Sequence, residues 1–479
     1  MLTRRTLPQV IATLAVVVLG CAAQGVAADA GARWFKGNLH THSFWSDGDD
    51  FPEMIADWYR THGYDFLAIS DHNTFQDTNR FREITGNRLY EAALEKYQRR
   101  FGDWVETEVR SRIVFARLKT FDEFRKKVEE PGKFLLIRAE EITDSSKLPP
   151  APVHINGINL RKLIKPLGGS NIVEIMQNNF DAVDEQRRAT GVPMFAHLNH
   201  PNFGFAITAE EFMQVRGQRF FEVYNGHNRV YNFGHTNATP GMDRFWDIVL
   251  TWRLGVLGLG VVYGVGTDDS HHYHDIALYK GIDAAKKAAA AKKEAESKKP
   301  KETAPAVTPK TVADDAAAAR DPNRDLVTKT YSGRGWVVVR APSLAPESIV
   351  AAMEAGDFYA SNGVKLRDVR RGPGEYRVEI EPEAGVSYTT QFIGTRKGFN
   401  RDNQPVRNAA GERLRKTHTY SADVGAILAE VKGPVASYRL KGDEIYVRAR
   451  VISTKTKQNP SELGEVEQAW AQPLVTGVK

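Results

Sequence analysis

A single cysteine, Cys21, leaves the chain unable to form a disulfide within itself. Unless Cys21 carries a lipid, the mature protein has no thiol, which excludes cysteine nucleophiles. A serine nucleophile lacks support as well, because no convincing Gly-x-Ser-x-Gly turn is present. The apolar run Val10 to Gly20 is too short to cross a bilayer comfortably. Neither sign of charge dominates. The formal +6 falls to about +4 if Arg4 and Arg5 leave with a leader, so a nucleic-acid partner is not expected. Histidine is nearly missing from the last 205 residues, since of 13 only His418 lies beyond residue 274. Imidazole chemistry therefore belongs to the first domain.

Arg4 and Arg5, the short apolar run and the small residues Ala22 to Ala30 read together as an export signal over residues 1–30. Thr3-Arg4-Arg5-Thr6-Leu7 resembles a twin-arginine signal, and Val18-Leu19-Gly20-Cys21 an imperfect lipoprotein box. A periplasmic or cell-envelope location is expected, with membrane attachment only if Cys21 is lipidated.

From Phe35 to about Gly266 short apolar runs alternate with helical patterns, which predicts a parallel sheet or barrel wrapped by helices. Pro52 opens a helix rich in Met54, Ile55, Trp58 and Tyr59, Gly63 stops it, and Phe66–Ser70 forms the next strand. Residues 283–325 are rich in alanine, lysine and proline and contain no aromatic residue, so a solvated, disordered insertion is expected, its first part transiently helical. Residues 326–367, with the run Trp336–Val339 and a helix from Pro346 to Ala355, complete the domain begun at 31–282. After about Asp368 the period changes to two: Tyr376, Val378 and Ile380 alternate with charged residues, as do Ile445, Val447, Ala449 and Val451. A small antiparallel β-sandwich over 368–479 is expected.

Histidines and carboxylates cluster at strand ends, where such folds place their chemistry. His40-Thr41-His42 puts two imidazoles on one face of an extended segment, spaced to grip one ion. Ser46-Asp47-Gly48 is a turn from which a carboxylate could swing back. Asp71-His72 closes the next strand, His197 and His200 follow Val192–Ala196, Glu222 lies inside Phe220–Tyr224, and Asp268-Asp269-Ser270-His271 follows Val261–Val265. Their joint occurrence is hard to assign to packing or capping.

This ordered set resembles the polymerase and histidinol phosphatase (PHP) superfamily over about residues 35–275, and most of all an exported branch with a C-terminal β-domain. Glu222-Val223-Tyr224-Asn225-Gly226, Trp246-Asp247, Gly356–Ser361 and Ala469-Trp470-Ala471-Gln472-Pro473 extend the likeness. The resemblance implies a distorted seven-stranded βα barrel holding two to three divalent ions, Zn, Mn or Fe. By it, His40, His42, Glu141 and Asp269 hold one ion; Glu141, His154 and His200 a second; Asp47, His72 and His271 a third. Glu140 competes with Glu141, and His197 with His200, the alternative for His197 being a supporting or core histidine.

Closely spaced divalent ions lower the pKa of a bridging water and neutralise charge building on a phosphoryl oxygen. The expectation is therefore hydrolysis of a small-molecule phosphate ester by a metal-bridged hydroxide, with Asp268 or His227 as leaving-group acid. A carbamate, amide or carboxylic ester is the alternative substrate. Arg229, Arg244 and Lys280 are candidate phosphate clamps that would favour the phosphate. A third reading, from another class, is an envelope binding protein whose metals only stiffen the barrel.

Overall fold

The computed structural model describes residues 31–236, 238–297 and 324–476. The export-signal reading of residues 1–30 and most of the expected insertion, 298–323, lie outside them.

Seven strands follow one another across the N-terminal half: β1 (Arg33–Asn38), β2 (Phe66–Ile69), β3 (Leu135–Lys147), β4 (Pro150–Ile158), β5 (Phe195–Leu198), β6 (Phe220–Asn225) and β7 (Tyr263–Thr267). They are neighbours in that order. Pairing is parallel from β1 to β3 and from β5 to β7, but β4 runs antiparallel to both β3 and β5. The all-parallel expectation fails there because only a tight turn separates β3 from β4, and a parallel return needs a long crossover.

Helices cover the sheet. The helix α1 (Pro52–Thr61) starts at Pro52, buries Ile55, Ala56 and Tyr59, and is followed by Gly63 at φ 74°, as the sequence predicts. Three more are α2 (Ile172–Thr190), α3 (Met242–Gly255) and α4 (Ile276–Ser297). The last runs through the first part of the Ala/Lys-rich stretch.

The expected barrel is not closed. The carboxyl ends of β1 and β7 do meet: Asp269 N donates to His40 O at 3.0 Å and His42 N to Ser270 O at 3.0 Å. Along its length, however, β1 pairs with β8 (Trp336–Ala341), which pairs with β9 (Phe358–Ser361). The outer edge of β7 is met by a side chain instead, since the Gln472 amide accepts from Gly264 N at 2.9 Å and donates to Gly264 O at 2.8 Å. Gly266 lets β7 lie against β8, because a Cβ there would fall 2.8 Å from Trp336 O. These contacts satisfy the backbone groups that ladder closure would have used.

The sheet continues through β10 (Tyr388–Arg396), β11 (Ala426–Lys432), β12 (Glu444–Thr456) and β13 (Val466–Val475), in the order β9-β13-β12-β10-β11. A separate antiparallel sheet, Leu366–Arg371 with Glu375–Ile380 and Val435–Arg439, packs Tyr376, Val378, Ile380 and Tyr438 against Val447, Ala449 and Val451 of β12. The C-terminal layers are thus antiparallel and face to face, as the two-residue period predicts, yet one of them is the large sheet itself.

A buried ion cluster fixes α3 to this region. Asp247 accepts from Arg448 Nε at 2.8 Å and Nη2 at 2.7 Å and from the Tyr446 hydroxyl at 2.8 Å, while Asp243 accepts from Trp470 Nε1 at 3.0 Å. Arg448→Ala strands Asp247 without its cation and leaves Asp243 with Arg450 alone, at 3.3 Å, and the expected loss is about 3–5 kcal/mol of stability, read by denaturant unfolding.

Candidate metal centre

Nine residues from six stretches of chain converge at the carboxyl ends of β1, β2, β5 and β7 and along the β3–β4 hairpin. They are His40, His42, Asp47, His72, Glu141, His154, His200, Asp269 and His271, each within one of four overlapping groups of possible ligand atoms. Local structure explains the convergence. Asp71, one residue before His72, accepts from Ser43 N at 2.7 Å, Ser46 N at 3.1 Å, Ser46 Oγ at 2.6 Å and Gln76 Nε2 at 2.6 Å, so it pins the turn that presents Asp47. Gly48 permits that turn to fold back, since a Cβ there would lie 2.4 Å from His42 O. His200 (φ 25°) and Asp269 (φ 49°) hold left-handed backbone conformations that non-glycine residues seldom adopt, and such strain collects at functional sites.

The innermost atoms form a compact polyhedron. His40 Nε2 lies 3.1 Å from His42 Nε2, 3.4 Å from Glu141 Oε2 and 3.3 Å from Asp269 Oδ1. His42 Nε2 lies 3.3 Å from Glu141 Oε2 and 3.2 Å from Asp269 Oδ1. Ligands at about 2.0 Å on a tetrahedral ion stand about 3.3 Å apart, and each of these five separations, from one imidazole to the other and from each imidazole to each carboxylate, is of that size. Glu141 Oε2 is buried and faces His40, His42 and His72 without a hydrogen bond of good geometry to any, as is expected of a ligand atom. The donor set thus fits a divalent cation.

Around this centre the donors become more exposed. His154 Nδ1 lies 3.0 Å from Glu141 Oε1, and His200 Nε2 stands between Glu141 Oε1 at 3.6 Å and Asp269 Oδ2 at 3.9 Å. His200 therefore groups with His40 and Asp269 as well as with Glu141, a wider sharing than the resemblance implies. At the rim, Asp47, 56% exposed, approaches His72 Nε2 and His271 Nε2, each at 3.5 Å. That rim is where a substrate can enter.

Electrostatics point the same way. Burial opposes charge here, yet at His40, His72, Glu141 and Asp269 the opposite charges prevail. Asp269 and Glu222 with Glu141 hold His40 well above the usual imidazole range; Glu141 and Asp47 hold His72 up at about 11. Glu141 and Asp269 are held well below the carboxylate range by the surrounding imidazoles. Burial, joined by His271 and His72, pushes His42 down to about 4. Concentrated buried carboxylate charge is what a metal cation compensates.

The adjacent acids separate cleanly. Glu140 projects away from the cluster and accepts from Ile164 N at 2.9 Å, burial raising it to about 8. His197 packs behind His40, ring centroids 6.3 Å apart, and burial holds it down at about 4. It lies in none of the donor groups. His272 and His274 face Thr330 Oγ1 at 2.7 Å and Asp49 O at 3.0 Å, away from the cluster.

Two expectations need correction. Asp268 is no leaving-group acid, because both its oxygens are occupied. It accepts from the backbone N–H groups of Gly333 at 2.9 Å, Arg334 at 2.6 Å and Gly335 at 2.8 Å, and from the Tyr59 hydroxyl at 2.5 Å. Its task is to hold the segment entering β8. Asp268→Asn is expected to lower stability by about 1.5–3 kcal/mol through weakened charge-assisted bonds while metal content per chain stays unchanged; thermal unfolding with elemental analysis checks both. Among the clamps, Arg244 donates to the backbone oxygens of Tyr420, Ser421 and Val424, and Lys280 pairs with Asp325, so neither serves the site. Arg229 alone of the three reaches the mouth, over the Phe203 ring that packs against His200.

His227 sits beside His271, ring centroids 5.6 Å apart. Burial lowers it to about 3 despite Asp269, with His271 and His200 adding to the fall, so the ring is neutral at neutral pH. Its Nδ1 accepts from Arg229 N at 3.1 Å, which places the ring proton on Nε2. The acid role inferred from sequence narrows to a hydrogen-bond donor.

One residue had no role assigned from sequence. Glu222 accepts from His40 Nδ1 at 2.7 Å, Thr267 Oγ1 at 2.8 Å, His200 N at 2.7 Å and Asn225 Nδ2 at 2.8 Å. By taking the Nδ1 proton it turns the His40 Nε2 lone pair toward the cluster. The signal was a carboxylate inside a wholly buried strand, which demands partners.

No protein-family model matches this chain, and no curated protein matches it. Among solved structures, a two-domain protein from Bacteroides vulgatus, described as containing a predicted PHP-like metal-dependent phosphoesterase, aligns at 14% identity and a TM-score of 0.36, over 92% of this chain and 96% of its own. A candidate metal-dependent phosphoesterase from Bifidobacterium adolescentis aligns at 11% identity and a TM-score of 0.21, over 40% of this chain and 77% of its own.

Proposed function

We propose that the protein is a metal-dependent hydrolase of the PHP type, acting on a small-molecule phosphate ester with two to three divalent ions, Zn, Mn or Fe. The approach of His40 Nε2 and His42 Nε2 to each other and of both to Glu141 Oε2 and Asp269 Oδ1, at 3.1–3.4 Å, carries this reading. His40, His42, Glu141, Asp269, His154 and His200 hold the inner charge; Asp47, His72 and His271 form the outer, substrate-facing group. When bound, the ions supply Lewis-acid charge neutralisation and a more acidic water.

The chain's own side chains do the rest. Glu141 spans the inner donors and fixes their spacing. Arg229 offers the mouth a cation with no ion pair among the described residues, suited to a phosphoryl oxygen. The Nε2 proton of His227 donates a hydrogen bond to the departing oxygen. Export, inferred from residues 1–30, puts the enzyme in the periplasm or cell envelope.

Elemental analysis of the purified protein, with turnover measured on phosphomonoesters, phosphodiesters and aryl carbamates, tests the reading. Stoichiometric metal with turnover of a phosphate ester is expected. Turnover of the carbamate alone would move the site to carbonyl chemistry, and tight metal with no turnover on any class would favour a binding protein.

A further inference from the structure

We propose that Phe203 and His227, braced by Arg229, form a subsite for a planar aromatic leaving group, an assignment that rests on the phosphoesterase reading above. Four rings make an arc at one side of the mouth. His200 and Phe203 have centroids 5.2 Å apart, Phe203 and His227 are edge to face at 5.4 Å and 83°, and His227 meets His271 at 5.6 Å and 79°. The two ends of the arc are members of the metal donor set. A substrate whose phosphoryl group reaches that set from this side lays its leaving group along the two rings between them.

Phe203 is not there to fill a core. It is half-buried, and among the described residues it packs into none of the five apolar clusters. Its position is nonetheless firmly built. The turn Phe203–Phe205 carries Gly204 at φ 60°, which glycine adopts freely, and Phe205 at φ 54°, a strained conformation for a bulky residue. Asn202 Nδ2 ties that turn to Tyr231 O and Pro240 O, both at 2.9 Å. Asn232 in turn accepts from Asn225 N at 2.9 Å and donates to Asn225 O at 2.8 Å, fastening the His227 loop to β6. The Arg229 guanidinium lies 5.5 Å from the Phe203 centroid. Phe205 and Tyr231 stack behind at 5.0 Å and 11°. A half-exposed phenyl held by a strained turn and two anchored asparagines is preorganised for a ligand, and ring–ring and cation–ring contacts favour a flat π face over an aliphatic group.

The test uses the full chain loaded with Mn²⁺ and two esters, benzyl phosphate and cyclohexylmethyl phosphate, which match in length and ring size but differ in planarity; benzyl alcohol is also the somewhat more acidic leaving group, a difference that the corresponding phosphonates do not carry. Wild type is expected to favour the benzyl ester by roughly tenfold in kcat/KM. Phe203→Leu should bring that ratio close to one through the benzyl ester, and Phe203→Tyr should restore it. Calorimetry with benzylphosphonate and cyclohexylmethylphosphonate reads the same preference without turnover. Hydrolysis of both esters with no preference overturns the subsite and leaves the phosphoesterase reading intact. No hydrolysis of either, with benzylphosphonate still preferred and the preference lost in Phe203→Leu, overturns the reading and keeps the subsite. Equal binding of the two phosphonates by wild type overturns the subsite under every outcome.

Discussion

Glu141→Gln is expected to lose at least one metal ion per chain and to lower kcat/KM by about 10³ on whichever substrate the wild type turns over, the scale of a Lewis-acid contribution of several kcal/mol. The reason is position. Glu141 lies within 3.6 Å of five imidazoles, those of His40, His42, His72, His154 and His200, so its charge is shared by all the inner donors. An amide keeps the shape and one acceptor but removes that charge and turns N–H groups toward imidazole nitrogens. The carboxylates also hold His40 and His72 up in pKa, so at neutral pH both carry protons in the metal-free protein. Ligation requires the neutral imidazole, so loading must displace those protons, and affinity should rise with pH. Titrating metal-free wild type with Mn²⁺ at pH 7 in two buffers of different ionisation enthalpy counts the protons released. Full metal content and unchanged turnover in Glu141→Gln would sink the centre as described.

Which residues would gather was legible because extended backbone alternates its side chains. His40 and His42, two apart, lie just past β1 in an extended segment that the Thr41–Ser270 bridge holds, and Asp71-His72 follows a strand end at the same rim. The same alternation left Glu140 competing with Glu141 and gave Asp268, beside the ligand Asp269, an acid role that its face denies, for each pair offers one acid to either face. Deciding between them needs the neighbours, Ile164 for Glu140 and the backbone of residues 333–335 for Asp268. The failure to close the barrel was out of reach for a related reason. It depends on Gln472 meeting Gly264 across 208 residues, and on β8 taking the edge of β1. Arg244 shows the limit at a single residue, since its partners are main-chain oxygens near residue 420, and any loop can offer those.

Glu222→Gln should leave the fold standing and weaken metal binding by about 10–100-fold, the effect of removing a carboxylate that orients a ligand imidazole. Its Oε1 receives both the His40 Nδ1 proton and the Thr267 hydroxyl, and its Oε2 receives His200 N and the Asn225 amide. One carboxylate thereby sets the direction of His40 and the strained backbone of His200 together. Glutamine supplies an acceptor on one side only, so a buried N–H group must face a donor on the other, and His40 loses a charged partner that makes its Nε2 a stronger donor. Glu222→Ala, which abandons both sides and opens a void among buried groups, is expected to be less stable as well as metal-poor. Competition for Mn²⁺ against a chelating dye, with the unfolding midpoint followed in parallel, separates the two variants. An affinity in Glu222→Gln equal to wild type would show that His40 is held by its own strand geometry and that the carboxylate behind it serves the fold alone.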